Sequence, residues 1–90
     1  MEYHDFGWAL NKLRQGLKVT RTGWNGKDMF VYFVQGSNFV VNRLPLTSIL
    51  PEGTAVQYRP HLDMKYADGT FGVWLASQSD LLGEDWEVVD

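Results

Sequence analysis

Two short stretches of the chain set flat aromatic rings beside hydrogen-bonding groups: Arg21-Thr22-Gly23-Trp24-Asn25-Gly26-Lys27, and the run from Trp74 through Ser77, Gln78, Ser79 and Asp80 to Asp85 and Trp86. An indole presented in a turn stacks on a flat heterocycle, a contact worth about 1–3 kcal/mol with a nucleobase. Trp24 offers such a face, Asn25 an amide, and Arg21 or Lys27 a cation for a phosphate. Trp74 offers a second face, Ser77 and Gln78 a hydroxyl and an amide, and Asp80 a carboxylate suited to ribose hydroxyls. Backbone N–H groups opening a helical turn after Trp74 would also receive a pyrophosphate. The chemistry that unites these eight residues is capture of a flat ligand with polar edges. Each has a plainer reading beside it. Trp24 folds back over the core, Ser77 and Asp80 cap a helix, and Asp85 with Trp86 is structural, the indole packed inside and the carboxylate holding a backbone or Arg partner.

Other chemistries find little support. The chain has no cysteine, so a disulfide framework, a zinc ribbon and a thiol nucleophile are excluded. No Asp, Glu and His set has the spacing of a calcium loop or a zinc protease, so no metal site is expected. The histidines are His4, near the terminus and expected to be mobile, and His61, which alternates with charged residues along a strand. Neither has a Ser or Asp at a spacing that suggests a triad. No catalytic residue and no cofactor is assigned.

A chain of 90 residues, 44% hydrophobic and 14% aromatic, is a single domain over residues 1–90 with enough apolar side chains for one core. The formal net charge of −3 is unevenly spread: residues 1–65 hold all eight Lys and Arg with five acids, while residues 66–90 hold six acids and no base. Such a chain lacks the basic excess that displaces counterions from a duplex, so extended nucleic acid is not an expected partner. A small anion needs only one or two well-placed cations. With no basic-then-apolar leader and no apolar run near the roughly 20 residues that span a bilayer, the reading is a soluble, cytoplasmic protein without membrane contact.

The elements that position these residues follow from periodicity. Phe6, Ala9, Leu10, Leu13 and Leu17 recur at spacings of three and four, one face of a helix that Asp5 caps and Gly16 stops. Trp8 lies off that stripe and either covers a neighbouring element or sits between subunits. Lys18–Thr22 reads as a strand, 23–27 as a turn, and Met29–Val34 as a strand covered on both faces. Gly36, Ser37 and Asn38 read as a hairpin turn into a strand over 39–41, followed by a loop over 42–54 with a helical turn near 47–50. Val56–Lys65 alternates apolar and polar residues, with Pro60 at an edge or break. Asp68-Gly69 turns the chain back. If Phe71, Val73 and Leu75 pack inward on the return strand, Trp74 faces outward. A helical turn through Leu81 and Leu82 and a last strand over 86–89 complete an α+β domain: an N-terminal helix, then a mostly antiparallel sheet.

Taken together, Arg21-x-Gly23-Trp24-Asn25-Gly26-Lys27, Met64-Lys65-x-Ala67-Asp68-Gly69 and Trp74-x-x-Ser77-Gln78-x-Asp80-Leu81-Leu82-x-x-Asp85-Trp86 resemble the Thoeris anti-defence type two family of small phage and prophage proteins. The resemblance spans nearly the whole chain, including the Phe6-x-x-Ala9-Leu10 helix. It implies a sponge: a homotetramer that binds and sequesters a cyclic ADP-ribose immune signal in pockets between subunits without degrading it, with some relatives also capturing cyclic oligonucleotides of the CBASS defence. Many relatives carry Pro before the position of Ser77, where this chain has Ala76. Two alternatives stand beside the sponge. One is a small phosphodiesterase or nucleosidase using His61 with Asp63, or Asp80 with Asp85. The other is a protein-interaction module using the polar face from Gln57 to Lys65, with Trp74 as its anchor.

Overall fold

A computed structural model describes residues 3–24 and 28–90. The first helix, α1 (Phe6–Arg14), starts where Asp5 accepts the Trp8 N–H at 2.9 Å. It ends as its sequence requires: Gly16 takes a φ of 88° and donates to the Leu13 carbonyl, and Leu17 donates to that of Lys12. This reciprocal pair of bonds satisfies carbonyls a helix end would otherwise strand. Trp8, off the apolar stripe, stacks on His4 at 3.7 Å, and Lys12 lies 5.5 Å from the Trp8 ring centroid. Contrary to the expected mobility, His4 is tied down, its N–H on the Glu84 carbonyl and its ring against the Trp86 carbonyl.

Five strands follow in one antiparallel sheet ordered β6-β5-β2-β1-β7: β1 (Lys18–Arg21), β2 (Phe30–Val34), β5 (His61–Lys65), β6 (Phe71–Val73) and β7 (Trp86–Val89). Register places Val88, Val19, Val31, Met64 and Gly72 in one row across it. Ala9 and Leu13 of α1 cover this row, and Trp74 and Trp86 close its end; all of these residues are buried except Gly72 and Val88, which are partly so. Fully burying a Val, Leu or Met side chain contributes about 1.5–3 kcal/mol, so this row and its helical cover hold the body together.

The row also corrects the facing of β6. Because Met64 pairs with Gly72, it is Gly72 and Trp74 that point to the core, while Phe71, Val73 and Leu75 are 59, 63 and 87% exposed. Phe71 instead joins Phe30 and Tyr32 on the outer face of the sheet.

A second correction concerns residues 36–38, which do not turn. The strand resumes as β3 (Ser37–Val40), paired with β4 (Ala55–Tyr58) in a separate two-stranded ribbon. The pairs Val34–His61 and Ser37–Tyr58 lie three residues apart on both strands. The ribbon is therefore the β2–β5 hairpin continued through a break in which Gly36 faces Pro60. A Cβ on Gly36 would collide with the Tyr58 carbonyl oxygen and lie 3.1 Å from the Pro60 ring. Pro60 breaks the alternating strand as expected, and the reversal comes at the loop over 41–54, which holds one 3-10 turn (Leu46–Ser48). The result is an arm on a body, 54 Å long and about half as wide. Among the described residues no helix is long and apolar enough to cross a membrane.

Leu13→Ala, at the centre of the helix cover, should lower unfolding free energy in urea by about 2–5 kcal/mol. A loss below about 1 kcal/mol would mean that the helix–sheet interface does not hold the body together.

Candidate functional site

The two motifs meet at Asp80. Helix α2 (Gln78–Leu82) follows β6, and Ser77 caps it: its hydroxyl accepts the Asp80 N–H at 3.1 Å, while the Asp80 carboxylate accepts the Ser77 N–H at 3.2 Å. The other carboxylate oxygen accepts from Arg21 Nη1 at 2.9 Å and from the Trp24 indole at 3.2 Å. The backbone carbonyl of Asp80 accepts the Trp86 indole N–H at 3.0 Å. Of the backbone donors at the start of this turn, the N–H groups of Ser77 and Asp80 are thus taken by the protein's own capping box.

Arg21 is doubly engaged. Its Nε donates to Asp85 at 2.7 Å while Nη1 holds Asp80, and Asp85 also accepts the Gly23 N–H at 2.9 Å and the Thr22 hydroxyl at 3.2 Å. Hydrogen bonding to Asp85 raises the Arg21 guanidinium above its ordinary value against the opposing effect of burial. For Asp80, burial pushes the carboxyl up, but the bonds from Arg21, Ser77 and Trp24 outweigh it and hold the group below its ordinary value. Asp85 behaves alike: burial raises it, and Arg21 with the Gly23 N–H brings it below. Gly83 lies against this pair, and a Cβ there would stand 2.6 Å from Arg21 Nη2.

Around this network the indoles are fixed. Trp86 is 1% exposed and meets Trp24 and Trp74 edge-on at 5.4 and 5.9 Å, with Phe6 tilted against it at 5.4 Å. Trp86 and Asp85 are structural, as expected, and Trp74 lies in the core wall. Trp24, half-buried, borders a depression of about 480 Å³ with Asp80, Tyr66, Met29, Met64 and Trp74. A volume of that order suits a small ligand.

The structure brings Arg21, Trp24, Trp74, Ser77 and Asp80 together. Gln78 is exposed in the first turn of α2 and does not line the depression. Asn25 and Lys27 lie outside the described residues. Tyr66, Met29 and Met64 were not among the site residues expected from the sequence, although Met64 opens one of the three motifs. The signal for Met64 and Tyr66 was their alternation on one face of the strand that carries the Asp68-Gly69 turn. His61 Nε2 lies 3.4 Å from Asp63, a pair on the outer sheet face, where Asp63 sits opposite Tyr32 and Val73. The described residues contain no cluster of three or more His, Asp or Glu that could hold a metal ion.

Because Asp80 and Asp85 titrate below their ordinary value in the folded chain, their contribution is complete above about pH 4 and is lost as pH falls through the folded values. The urea midpoint should hold from neutral pH to about 4 and drop below it, less steeply in Asp80→Asn. Equal slopes would show that the pair carries no linked protonation. Gly83→Ala should cost about 1–3 kcal/mol by displacing Arg21, and an unchanged thermal midpoint would contradict that packing.

The family model for the Thoeris anti-defense 2-like domain matches residues 4–89. The chain is also 34% identical, over 94 aligned positions, to Thoeris anti-defense 2 of Bacillus phage SP01, covering 93% of this chain and 92% of that protein. The motifs centred on Asp80 therefore sit in a full-length match, and the chain belongs to the Thoeris anti-defense 2-like family.

Proposed function

We propose that this chain is an anti-defence protein that captures a cyclic ADP-ribose immune signal and lowers its free concentration by holding it, without hydrolysis. Family membership supports the anti-defence role. The observation that carries the binding reading is the depression beside Trp24, where an indole held by Asp80 faces Tyr66 and two methionines. A flat purine fits between such walls, since stacking and polarisable thioethers both favour it. Arg21 is consumed by Asp80 and Asp85, so on this reading it positions Trp24 rather than meeting the phosphates, which fall to Lys27 with Asn25. The same pairing argues against catalysis by Asp80 and Asp85, as neither carboxylate is available as a base. Capture in pockets completed by a second subunit of a homotetramer, in the bacterial cytoplasm, accords with a depression that is shallow in one copy.

The test mixes excess protein with cyclic ADP-ribose isomers and cyclic oligonucleotides and measures free ligand after ultrafiltration and again after heat denaturation. Depletion of one ligand, returned intact on heating, is the expected result. Altered product would make the protein an enzyme, and no depletion of any cyclic ADP-ribose isomer would overturn the reading. Trp24→Ala should weaken capture about 5- to 150-fold, the equivalent of one lost stack, with the near-ultraviolet spectrum of the other tryptophans largely kept. Full affinity in that variant would remove Trp24 from the site.

A further inference from the structure

The motif Met64-Lys65-x-Ala67-Asp68-Gly69 folds as the end of β5 and the turn into β6, and its open position is Tyr66. This residue is held at both its backbone groups and at the tip of its ring. Its N–H donates to the Thr70 carbonyl at 2.8 Å, and its own carbonyl accepts the Gly69 N–H at 3.0 Å. Its hydroxyl donates to the Val73 carbonyl of β6 at 3.1 Å. The turn that grips the backbone is itself braced, with Gly69 at a φ of 88° and the Asp68 carboxylate accepting both the N–H and the hydroxyl of Thr70. Against the ring lies Gly72. A Cβ there would stand 3.0 Å from Tyr66 Cε2 and 3.0 Å from its hydroxyl oxygen, inside the roughly 3.5–4.0 Å at which carbon atoms pack well. The backbone gives glycine no other reason to be there. Gly72 does not adopt the positive φ of Gly16, Gly53 and Gly69, and a glycine within a strand weakens it.

We propose that Tyr66 is a fixed contact wall for the base captured in the depression beside Trp24, and that Gly72 is a positioning residue whose missing side chain lets the Tyr66 ring lie down on β6. This assignment rests on the reading of that depression as the capture site, and it gives the β5–β6 hairpin its part there. Tyr66 lines the depression together with Trp24. With its hydroxyl spent on Val73, Tyr66 offers the base a ring and no donor, so this wall selects for a flat surface and does not read the edge of the base. Trp24 is held in the same manner, through its indole nitrogen on Asp80. Two of the rings that line the depression are thus each pinned by their polar end, and little torsional freedom is left for binding to remove.

The experiment is isothermal titration of the full chain with the cyclic ADP-ribose isomer that it depletes, on the wild type, Gly72→Ala, Gly72→Val, Tyr66→Ala and the double variant Gly72→Val with Tyr66→Ala. Gly72→Val should weaken binding about tenfold or more, Gly72→Ala less, and Tyr66→Ala about as much as Gly72→Val. In the Tyr66→Ala background Gly72→Val should change the affinity by less than about twofold, because the ring that it displaces is gone. Val forms strands better than Gly, so the thermal midpoint of Gly72→Val should stay within about 5 °C of the wild type, which separates loss of the wall from loss of the fold. Gly72→Ala carries the same cycle if the branched side chain prevents folding. Wild-type affinity in both Gly72→Val and Tyr66→Ala, or equal weakening by Gly72→Val with and without the Tyr66 ring, overturns this assignment and leaves the capture reading standing. A wild type that binds no cyclic ADP-ribose isomer overturns the capture reading and the assignment with it.

Discussion

The Asp80 carboxylate is the point at which the chain's separate pieces are tied. One oxygen receives Arg21 from β1 and the Trp24 indole from the turn after it, the other closes the cap of α2, and the backbone carbonyl anchors Trp86 at the start of β7. A buried carboxylate is costly unless paired and hydrogen-bonded. Here the cost is offset because the group accepts a cation and further donors at once, and Asp85 shares the same guanidinium from its other edge. Removing any one partner leaves others buried and unsatisfied, so the network behaves as a unit.

That arrangement decides which residues remain for a ligand. Arg21 and Asp80 satisfy each other, and Ser77 satisfies Asp80, so three side chains that look like ligand contacts in the sequence serve to hold the wall. What the wall presents is largely aromatic and soft, with Trp24, Tyr66, Met29 and Met64 among its lining residues. Trp24 can be a good stacking face because it is not free to rotate, pinned through its indole nitrogen and by its edge against Trp86. A preorganised ring loses little entropy on binding.

The helix and its two ends, the break at Pro60, the Asp68-Gly69 turn and the capping role of Ser77 were legible in the sequence, because each rests on local rules of periodicity and turn chemistry. The facing of β6 was not. Apolar residues occupy both parities there, Phe71, Val73 and Leu75 on one and Trp74 on the other, and only the cross-strand pairing of Met64 with Gly72 decides between them. The arm was hidden for a similar reason. Gly36-Ser37-Asn38 has the composition of a turn, yet Gly36 serves to admit the Tyr58 carbonyl from the opposite strand, a close approach between residues far apart in sequence. The pairing of Arg21 with both carboxylates also spans some sixty residues, and a residue type that binds phosphate binds a carboxylate as readily.

The acidic C-terminal quarter can be reinterpreted on the same grounds. Six acids without a base would repel a nucleotide if all faced it. Asp80 and Asp85 are instead neutralised by Arg21, and Asp68 is turned into its own loop, accepting the N–H and hydroxyl of Thr70 at 2.9 and 2.7 Å. The acids left without an internal role of this kind, Glu84, Glu87 and Asp90, follow α2 in the sequence and do not line the depression. Exposed charges act over about 8 Å at physiological ionic strength. The one acid among the described residues that line the depression, Asp80, is paired with Arg21, so the formal charge of the chain says little about whether an anion can bind there.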